Sequence, residues 1–349
     1  MNQRSRTQLK DNNREQLCMM NYELFRTFAV NMKKLIPIIV VLLLLAACGQ
    51  SYEETKRITR EQRREAWRKD SAALKIAVMP TLDCLPLYVA QYYALFDTLN
   101  GGVRLKFYNA QMDCDTAMMR GRVEGVFTDL VRAKRMEKQG LKIRYVAATN
   151  AYWQLVTNRN ARIRQLKQLD DKMVAMTRYS ATDLLTDYAR DSVKLVPNQV
   201  FKVQINDLNV RVQMLQNNEI DALWLPEPQA TQARTMKNPV ILDSRDVKLQ
   251  LGVLAFRELE MRRQARGKQL ALFTQAYNQA CDSISKHGIA YYRQIFVDRY
   301  QLKKQLVDSI PQNIRFMHAR GPRQQDVTYV ELWLQKIDTL KTKVNYGNK

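Results

Sequence analysis

Short apolar runs alternate with amphipathic stretches along most of the chain. Residues 74–79 form an apolar run of strand length, and residues 80–84 are typical of a turn. Leu85, Val89 and Phe96 then recur at helical spacing, with Pro86 in the first turn, where a helix tolerates proline. This stretch predicts a strand, a tight loop and a helix, which is the geometry that exposes N–H groups at a ligand site.

The same alternation continues to about residue 256. Strands are predicted over residues 103–108, 123–127, 142–148, 153–157, 173–177, 200–205, 220–225, 240–242 and 249–256. Helices are predicted over residues 262–286, 289–300, 303–309 and 324–340. The fold class is therefore α/β, with parallel-rich sheets, flanking helices and a helical C-terminal tail.

One pattern occurs twice. Residues 119–127 and 215–224 each contain a helix end, a Gly or Asn suited to a left-handed turn, an acidic residue and a strand. The repetition predicts two lobes built in the same way. Chance similarity between two αβ turns is the alternative.

The N-terminal region resembles an export signal. Lys33 and Lys34 precede an apolar run over residues 35–47, which is short for a membrane span. The run closes with Leu-Ala-Ala-Cys, which resembles a bacterial lipoprotein signal with Cys48 as the lipidated residue. We therefore expect residues 1–48 to be a leader, with Met32 as a candidate true start; an uncleaved anchor is the alternative. Residues 49–72 are strongly charged and predict a tether or an exposed helix.

The net charge of +22 is not confined to the leader. A basic surface suits nucleic acid, an anionic membrane or acidic substrates, or it has no role beyond solvation. Export argues against nucleic acid. The composition does not choose among the remaining interpretations.

The cysteines and histidines do not show the spacing of a metal-binding motif. Cys84 and Cys114 follow predicted strands one βαβ step apart and form a candidate disulfide, which an extracytoplasmic compartment permits. There is no Cys-x-x-Cys pair, and the chain holds only His287 and His318. We expect no metal site and no cofactor.

Several segments in order resemble one family. They are the lipoprotein signal, Lys-Ile-Ala-Val followed by Leu-Pro-Leu-Tyr-Val-Ala, a Gly-x-Val-Glu turn, and Asn-Glu-Ile-Asp-Ala before Pro-Glu-Pro. This order resembles the periplasmic substrate-binding proteins of ABC importers of the nitrate, sulfonate, taurine and thiamine-pyrimidine type. The resemblance implies a two-lobed type 2 periplasmic-binding-protein fold with ligand in the cleft.

The resemblance also implies the lobe boundaries and the site. The first lobe is expected over residues 74–149 and 252–340 and the second over 152–247, with crossings near 149–152 and 250–255. The implied ligand-binding residues lie at strand ends: Thr81, Leu82, Asp83, Asp113, Thr128, Asp129, Tyr152, Ser180, Ala181, Thr182, Trp224 and Glu227.

Each candidate also has a purely structural interpretation. Asp83, Asp113 and Ser180 could cap helices, Trp224 could be a core residue, and Glu227 could be a turn residue. Basic ligands for an anion are not obvious, because only Arg178 and Arg257 lie near predicted strand ends. The acids favour a cationic or heterocyclic ligand, such as a thiamine precursor, over nitrate or a sulfonate.

The expected function is that of a monomeric, lipid-anchored solute-binding protein in the cell envelope, facing the periplasm. It would deliver a small polar molecule to an ABC permease. A ligand-sensing or partner-binding lipoprotein is one alternative. A cofactor-biosynthesis enzyme of the same fold is another, although the chain has no Gly-rich phosphate loop, Gly-x-Ser-x-Gly or His-Glu-x-x-His motif.

Overall fold

A computed structural model describes residues 52–96 and 102–347. The expected leader, with Met32 and Cys48, lies outside the described residues. The charged segment after it forms helix α1 (Tyr52–Ala72). No helix in the described part of the chain is both long and apolar enough to cross a bilayer. The chain divides into two compact units after Arg68, and both β-sheets lie in the second unit.

Strands and helices alternate in the second unit. The first series is β1 (Leu74–Val78), α2 (Leu85–Tyr92), β2 (Val103–Phe107), α3 (Gln111–Met119), β3 (Gly125–Asp129), α4 (Leu130–Lys138) and β4 (Ile143–Ala148). The second series is β5 (Trp153–Thr157), β6 (Lys172–Met176), α5 (Ala181–Ser192), β7 (Val200–Gln204), α6 (Leu208–Gln216), β8 (Ala222–Pro226), α7 (Gln229–Thr235) and β9 (Val240–Asp243). The chain then continues through β10 (Gly252–Arg257), α8 (Glu258–Met261), α9 (Gln264–His287), α10 (Arg293–Tyr300), α11 (Lys304–Val307) and α12 (Gln324–Gly347).

The strands form two five-stranded sheets with matching topology. The strand orders are β2-β1-β3-β10-β4 and β7-β6-β8-β5-β9. In each sheet two neighbouring pairs are parallel, and one strand runs antiparallel to both of its neighbours. We call the first sheet with its helices the first lobe and the second sheet with its helices the second lobe. The expected α/β fold class is confirmed.

The prediction misplaced one strand and one crossing. β10 begins at Gly252, not at residue 249, and it inserts between β3 and β4, so the chain returns from the second lobe through residues 244–251. A Cβ at Gly252 would lie 2.3 Å from Thr149 Oγ1 and 2.5 Å from Ala151 Cβ. Glycine therefore lets the two crossing segments approach each other closely.

The repeated sequence pattern has the same structure in both lobes. Gly121 and Asn218 both adopt positive φ, at 69° and 61°. The carboxylate of Glu124 accepts a hydrogen bond of 2.7 Å from Lys75 N at β1, and that of Asp221 accepts one of 2.9 Å from Met173 N at β6. The acidic residue thus ties each central strand to the neighbouring parallel strand, and the expected similarity of the two turns is confirmed.

The C-terminal helices pack in different places. α9 contributes Phe273, Tyr277 and Ile284 to the hydrophobic cluster around β1 and α2. α12 joins another cluster, in which Val330 and Trp333 pack with residues of both α4 and α5. α12 therefore contacts both lobes.

Polar contacts reinforce this position of α12. Trp333 Nε1 donates to Asp187 Oδ2 of α5 at 3.1 Å, and Glu331 pairs with Lys134 of α4 at 3.0 Å. α12 thus binds one helix from each lobe, through apolar burial as well as through polar contacts.

Candidate functional site

The carboxyl ends of the parallel strands in the two sheets meet between the lobes. A cavity of about 60 Å³ lies there. Residues from both lobes line it, including Thr81, Asp83, Thr128, Asp129, Thr177, Ser180, Thr182 and Arg211. This is the position at which open α/β sheets usually bind ligands.

Six of the implied ligand residues line this cavity: Thr81, Asp83, Thr128, Asp129, Ser180 and Thr182. They come from three loops that are far apart in sequence. Residues chosen because they follow strands therefore lie together in the structure, since the carboxyl ends of parallel strands meet at one edge of a sheet.

Asp83 is buried at this cavity and does not cap the helix that follows. Cys84 is the N-cap residue of α2, and its side chain makes no capping hydrogen bond. The Asp83 carboxylate accepts a hydrogen bond of 3.2 Å from Thr149 Oγ1, in the first crossing segment. Burial raises the pKa of Asp83 despite hydrogen bonds from the Thr81 and Thr149 side chains.

Asp129 is also buried, and it combines two roles. Its Oδ1 accepts from Arg132 N at 3.0 Å and so caps α4. Burial raises its pKa to about 6, although the nearby Arg132 charge opposes the shift. The cavity therefore contains two carboxyl groups for which ionisation is costly, a property that clusters at functional sites.

Ser180 and Thr182 line the cavity while organising the start of α5. Ser180 Oγ accepts from Thr182 N at 3.1 Å and donates to Thr177 O at 2.7 Å. Thr182 Oγ1 accepts from Thr177 N at 3.0 Å. These hydroxyls rigidify the loop, so the helix-capping interpretation holds beside their position at the cavity.

Arg211 is the charged cavity residue that the sequence reasoning missed, along with the polar residues Gln111, Thr177 and Asn206. It is only 2% exposed, and its guanidinium donates to Ile205 O, Trp224 O and Thr177 Oγ1 at 2.6–2.7 Å. None of these acceptors is charged, and burial lowers the pKa of Arg211 to about 9. The signal was present in the sequence, because Arg211 falls on the apolar stripe formed by Leu208, Val212 and Leu215.

The two arginines singled out from the sequence lie elsewhere. Arg178 is exposed. Arg257 ends β10, whose antiparallel direction places it beside Ile143 at the start of β4, and it donates to Met118 O at 3.1 Å. Neither arginine lines the cavity.

Trp224 lies in the hydrophobic core of the second lobe and does not line the cavity. It is fully buried in the second-lobe cluster, and its Nε1 donates to Thr186 Oγ1 at 2.9 Å. Asp113 is exposed on α3 and is likewise outside the cavity.

Tyr152 and Glu227 form a separate polar cluster. Tyr152 Oη donates to Glu227 Oε1 at 3.3 Å, and Arg234 pairs with the same oxygen at 2.8 Å. Glu227 Oε2 accepts from both the N–H and the hydroxyl of Thr231, at 2.9 and 2.7 Å. These partners account for the burial of Glu227, which lies outside the cavity lining.

Leu82 and Ala181 are buried beside the cavity. Leu82 N donates to Glu227 O at 2.8 Å, which joins the two lobes. Ala181 is the first residue of α5, and its N–H helps to offset the raised pKa of Asp129. Both residues contribute main-chain groups to the contact between the lobes.

The candidate disulfide is absent from the structure. Cys84 and Cys114 are free and buried. Burial raises the pKa of both thiols well above the ordinary value. Cys84 Sγ instead lies 3.6 Å from Thr81 Oγ1.

A second, larger groove of about 790 Å³ also lies between the lobes. Pro80, Phe107 and Arg299 line its first-lobe side, and Gln213 and Gln232 line its second-lobe side. Gln229 Nε2 donates across it to Pro80 O at 3.0 Å. The groove is larger than the cavity, but the cavity holds the buried acids and Arg211.

The described residues contain no group of three or more His, Cys, Asp or Glu side chains that could hold a metal ion. The polar groups at the cavity are hydroxyl, carboxyl, amide and guanidinium side chains.

The sequence matches no protein-family model, and no curated protein is a significant match. Solved structures match the fold. The alkanesulfonate-binding protein SsuA from Xanthomonas axonopodis pv. citri, bound to MOPS, is 14% identical, with a TM-score of 0.66 over 77% of this chain and 93% of that one. A ligand-binding component of an ABC-type import system from Staphylococcus aureus, with zinc bound, is 17% identical, with a TM-score of 0.64 over 76% and 92%.

The nitrate-binding protein NrtA from Synechocystis PCC 6803 is a further match, 12% identical with a TM-score of 0.59 over 73% of this chain and 74% of that one. These neighbours are substrate-binding components of the class that the sequence resembled. The chain therefore has the fold of the two-lobed binding components of ABC importers.

Proposed function

We propose that this protein is a lipid-anchored solute-binding protein. In this proposal it captures a small polar molecule between its lobes as a monomer and delivers it to an ABC permease at the membrane. The observation that carries the proposal is the cavity at the strand ends of both sheets, with two buried carboxyl groups and a buried arginine. The fold shared with importer components supports it.

The cavity chemistry favours a ligand with both donors and acceptors. Asp83 and Asp129 accept hydrogen bonds when ionised, and each donates one when protonated. Arg211 supplies a buried positive charge on the opposite lobe. A zwitterionic or heterocyclic molecule, such as a thiamine precursor, uses both features, whereas nitrate or a simple sulfonate uses only the arginine and the hydroxyls.

A volume of about 60 Å³ is far below the roughly 300 Å³ at which small-molecule pockets begin. We therefore take the described state as closed, and ligand entry requires the lobes to separate. The small volume also favours a second candidate function, in which a lipoprotein of this fold binds a protein partner and imports no solute.

The test of ligand capture is the thermal stability of the full-length protein in mild detergent against sulfonates, nitrate, thiamine and its pyrimidine, polyamines and amino acids. A ligand at about 100 times its dissociation constant adds about 2.7 kcal/mol. The shift should disappear in Asp83→Asn and persist in Asp113→Asn, the matched exchange at an exposed site. A ligand that stabilises both variants equally binds elsewhere, and no shift across the panel favours the partner-binding function.

The anchor is tested separately. Replacing Cys48 with Ser should move the protein from the membrane to the soluble fraction, because no lipid can be attached at that residue. Cys18→Ser, upstream of the apolar run, is the control and should stay with the membrane. Retention of the Cys48→Ser variant would contradict lipid anchoring.

A further inference from the structure

A separate cavity of about 380 Å³ lies at the two crossing segments. Its lining includes Asn150 from the first segment, Arg245 and Lys248 from the second, and Arg315 and Arg323 from the loop before α12. It shares Ala151 with the inter-lobe cavity but none of that cavity's charged residues. Its volume is within the usual range for small-molecule sites.

The lining carries four positive charges and no carboxylate. Asp243 holds Arg245 through hydrogen bonds of 2.7–2.9 Å, and buried Asp326 holds Arg323 at 2.7–2.9 Å. These two pairs fix the guanidinium groups at the cavity. A concave surface lined by one sign of charge concentrates counter-ions of the opposite sign.

The other two cations of the lining are Lys248 and Arg315. Within the described residues, neither the Lys248 ammonium nor the Arg315 guanidinium makes an ion pair, and both side chains are exposed. The main chain at Lys248 is fixed nevertheless, because Arg323 Nη2 donates to Lys248 O at 2.8 Å. The cavity is therefore lined by two cations without an ion pair in the described residues and by two arginines held by carboxylates.

Asn150 adds a donor of a different kind. Its Nδ2 is buried and has no hydrogen-bond partner in the described part of the chain. A buried donor without a partner is costly, and few occur in a native protein. Asn150 lines the cavity, so turning its amide toward the cavity would let an acceptor bound there satisfy this donor.

We propose that this cavity binds a small oxyanion of the phosphate type, free or carried on a small organic body. Arginine and lysine favour oxyanions because guanidinium groups donate in pairs and ammonium groups act as strong point charges. The site lies on both crossing segments, so its occupant contacts the parts of the chain that must bend when the lobes separate. It is distinct from the proposed solute cavity.

The test is calorimetric titration of the full-length protein in mild detergent with inorganic phosphate and with pyrophosphate, at fixed ionic strength. We expect saturable binding, tighter for pyrophosphate. The double variant Lys248→Gln/Arg315→Gln should weaken it by about tenfold or more, since it removes two charged hydrogen-bond donors from the cavity. Asn150→Asp should abolish it, because a carboxylate would repel the anion.

The matched control is Lys237→Gln/Arg122→Gln, which also removes two exposed cations. Lys237 adopts positive φ as Lys248 does, at 64° and 60°. The control should bind like the unmodified protein. Absence of saturable binding, or equal weakening in the two double variants, would overturn the proposal.

Vesicles distinguish a free anion from a lipid headgroup. Co-sedimentation with phosphatidylglycerol vesicles should be the same for both double variants. If Lys248→Gln/Arg315→Gln alone loses vesicle binding while neither phosphate nor pyrophosphate binds, the site recognises a membrane surface and the proposal of a small oxyanion fails.

Discussion

Replacing Asp129 with Asn isolates the cost of the buried carboxylate in the inter-lobe cavity. Asn is also a good N-cap residue, so the hydrogen bond that Arg132 N donates to the side-chain oxygen of residue 129 should persist. The pKa of Asp129 rises from 3.8 to about 6 on folding. A shift of about two units corresponds to about 3 kcal/mol of folding free energy.

The sign follows from proton binding. Between pH 4 and 6 the folded state holds a proton at Asp129 that the unfolded state releases, so the contribution of Asp129 to stability is most favourable below pH 4 and is lost as pH rises through 6. Above pH 6 the folded state carries the full free-energy cost of the buried, ionised carboxylate. Asp129→Asn should therefore stabilise the protein at pH 7.5 by up to about 3 kcal/mol and by little at pH 4.

The assay is urea unfolding of the full-length protein at pH values from 4 to 8. With an m-value of about 3 kcal/mol/M, the midpoint at pH 7.5 should rise by up to roughly 1 M. Asp207→Asn is the control for the same exchange at a helix N-cap, because Asp207 caps α6 but is only half-buried. Parallel pH profiles for the unmodified protein and Asp129→Asn would refute the reasoning.

Three further predictions follow from burial. Arg211→Lys should lower the free energy of unfolding, measured by urea titration, by about 2–4 kcal/mol, because one ammonium group cannot replace three directed hydrogen bonds. The control Arg178→Lys, at an exposed site, should change it by less than about 0.5 kcal/mol. Trp224→Phe should lower the free energy of unfolding by about 2 kcal/mol, because the indole hydrogen bond and part of the side-chain volume are lost. The thermal shift caused by a bound ligand should be unchanged, and its loss would show that Trp224 belongs to the ligand site. Cys84 and Cys114 should react slowly with iodoacetamide in the native protein and fully after unfolding without reductant; a bonded pair by mass spectrometry would contradict the free thiols.

The sequence predicted the elements well where local pattern determines them. β5 was predicted over 153–157 and occupies Trp153–Thr157, and the acidic turns at Glu124 and Asp221 identified the two equivalent strand starts. β10 shows what local sequence pattern cannot predict. Its insertion between β3 and β4 depends on a pairing of residues more than a hundred positions apart, which hydrophobic periodicity does not encode.

The site was predictable only in part for a related reason. Strand ends locate Asp83 and Asp129, because parallel topology brings such ends together. Trp224 does not reach the cavity because it is the third of five residues in β8, and the apolar run around it does not show where the strand ends. Arg211 was missed because it comes from the middle of a helix and reaches the cavity by direction and burial.

The position of α12 sets the direction in which the lobes can part. Val330 and Trp333 hold α4 and α5 together through buried apolar contacts, and the start of α12 is tied to the second crossing through Arg323 and Lys248 O. On the groove side the lobes meet through polar contacts, such as Leu82 N to Glu227 O, which water can replace. The lobes should therefore separate at the edge where they meet through polar contacts, while α12 keeps α4 and α5 together at the apolar edge.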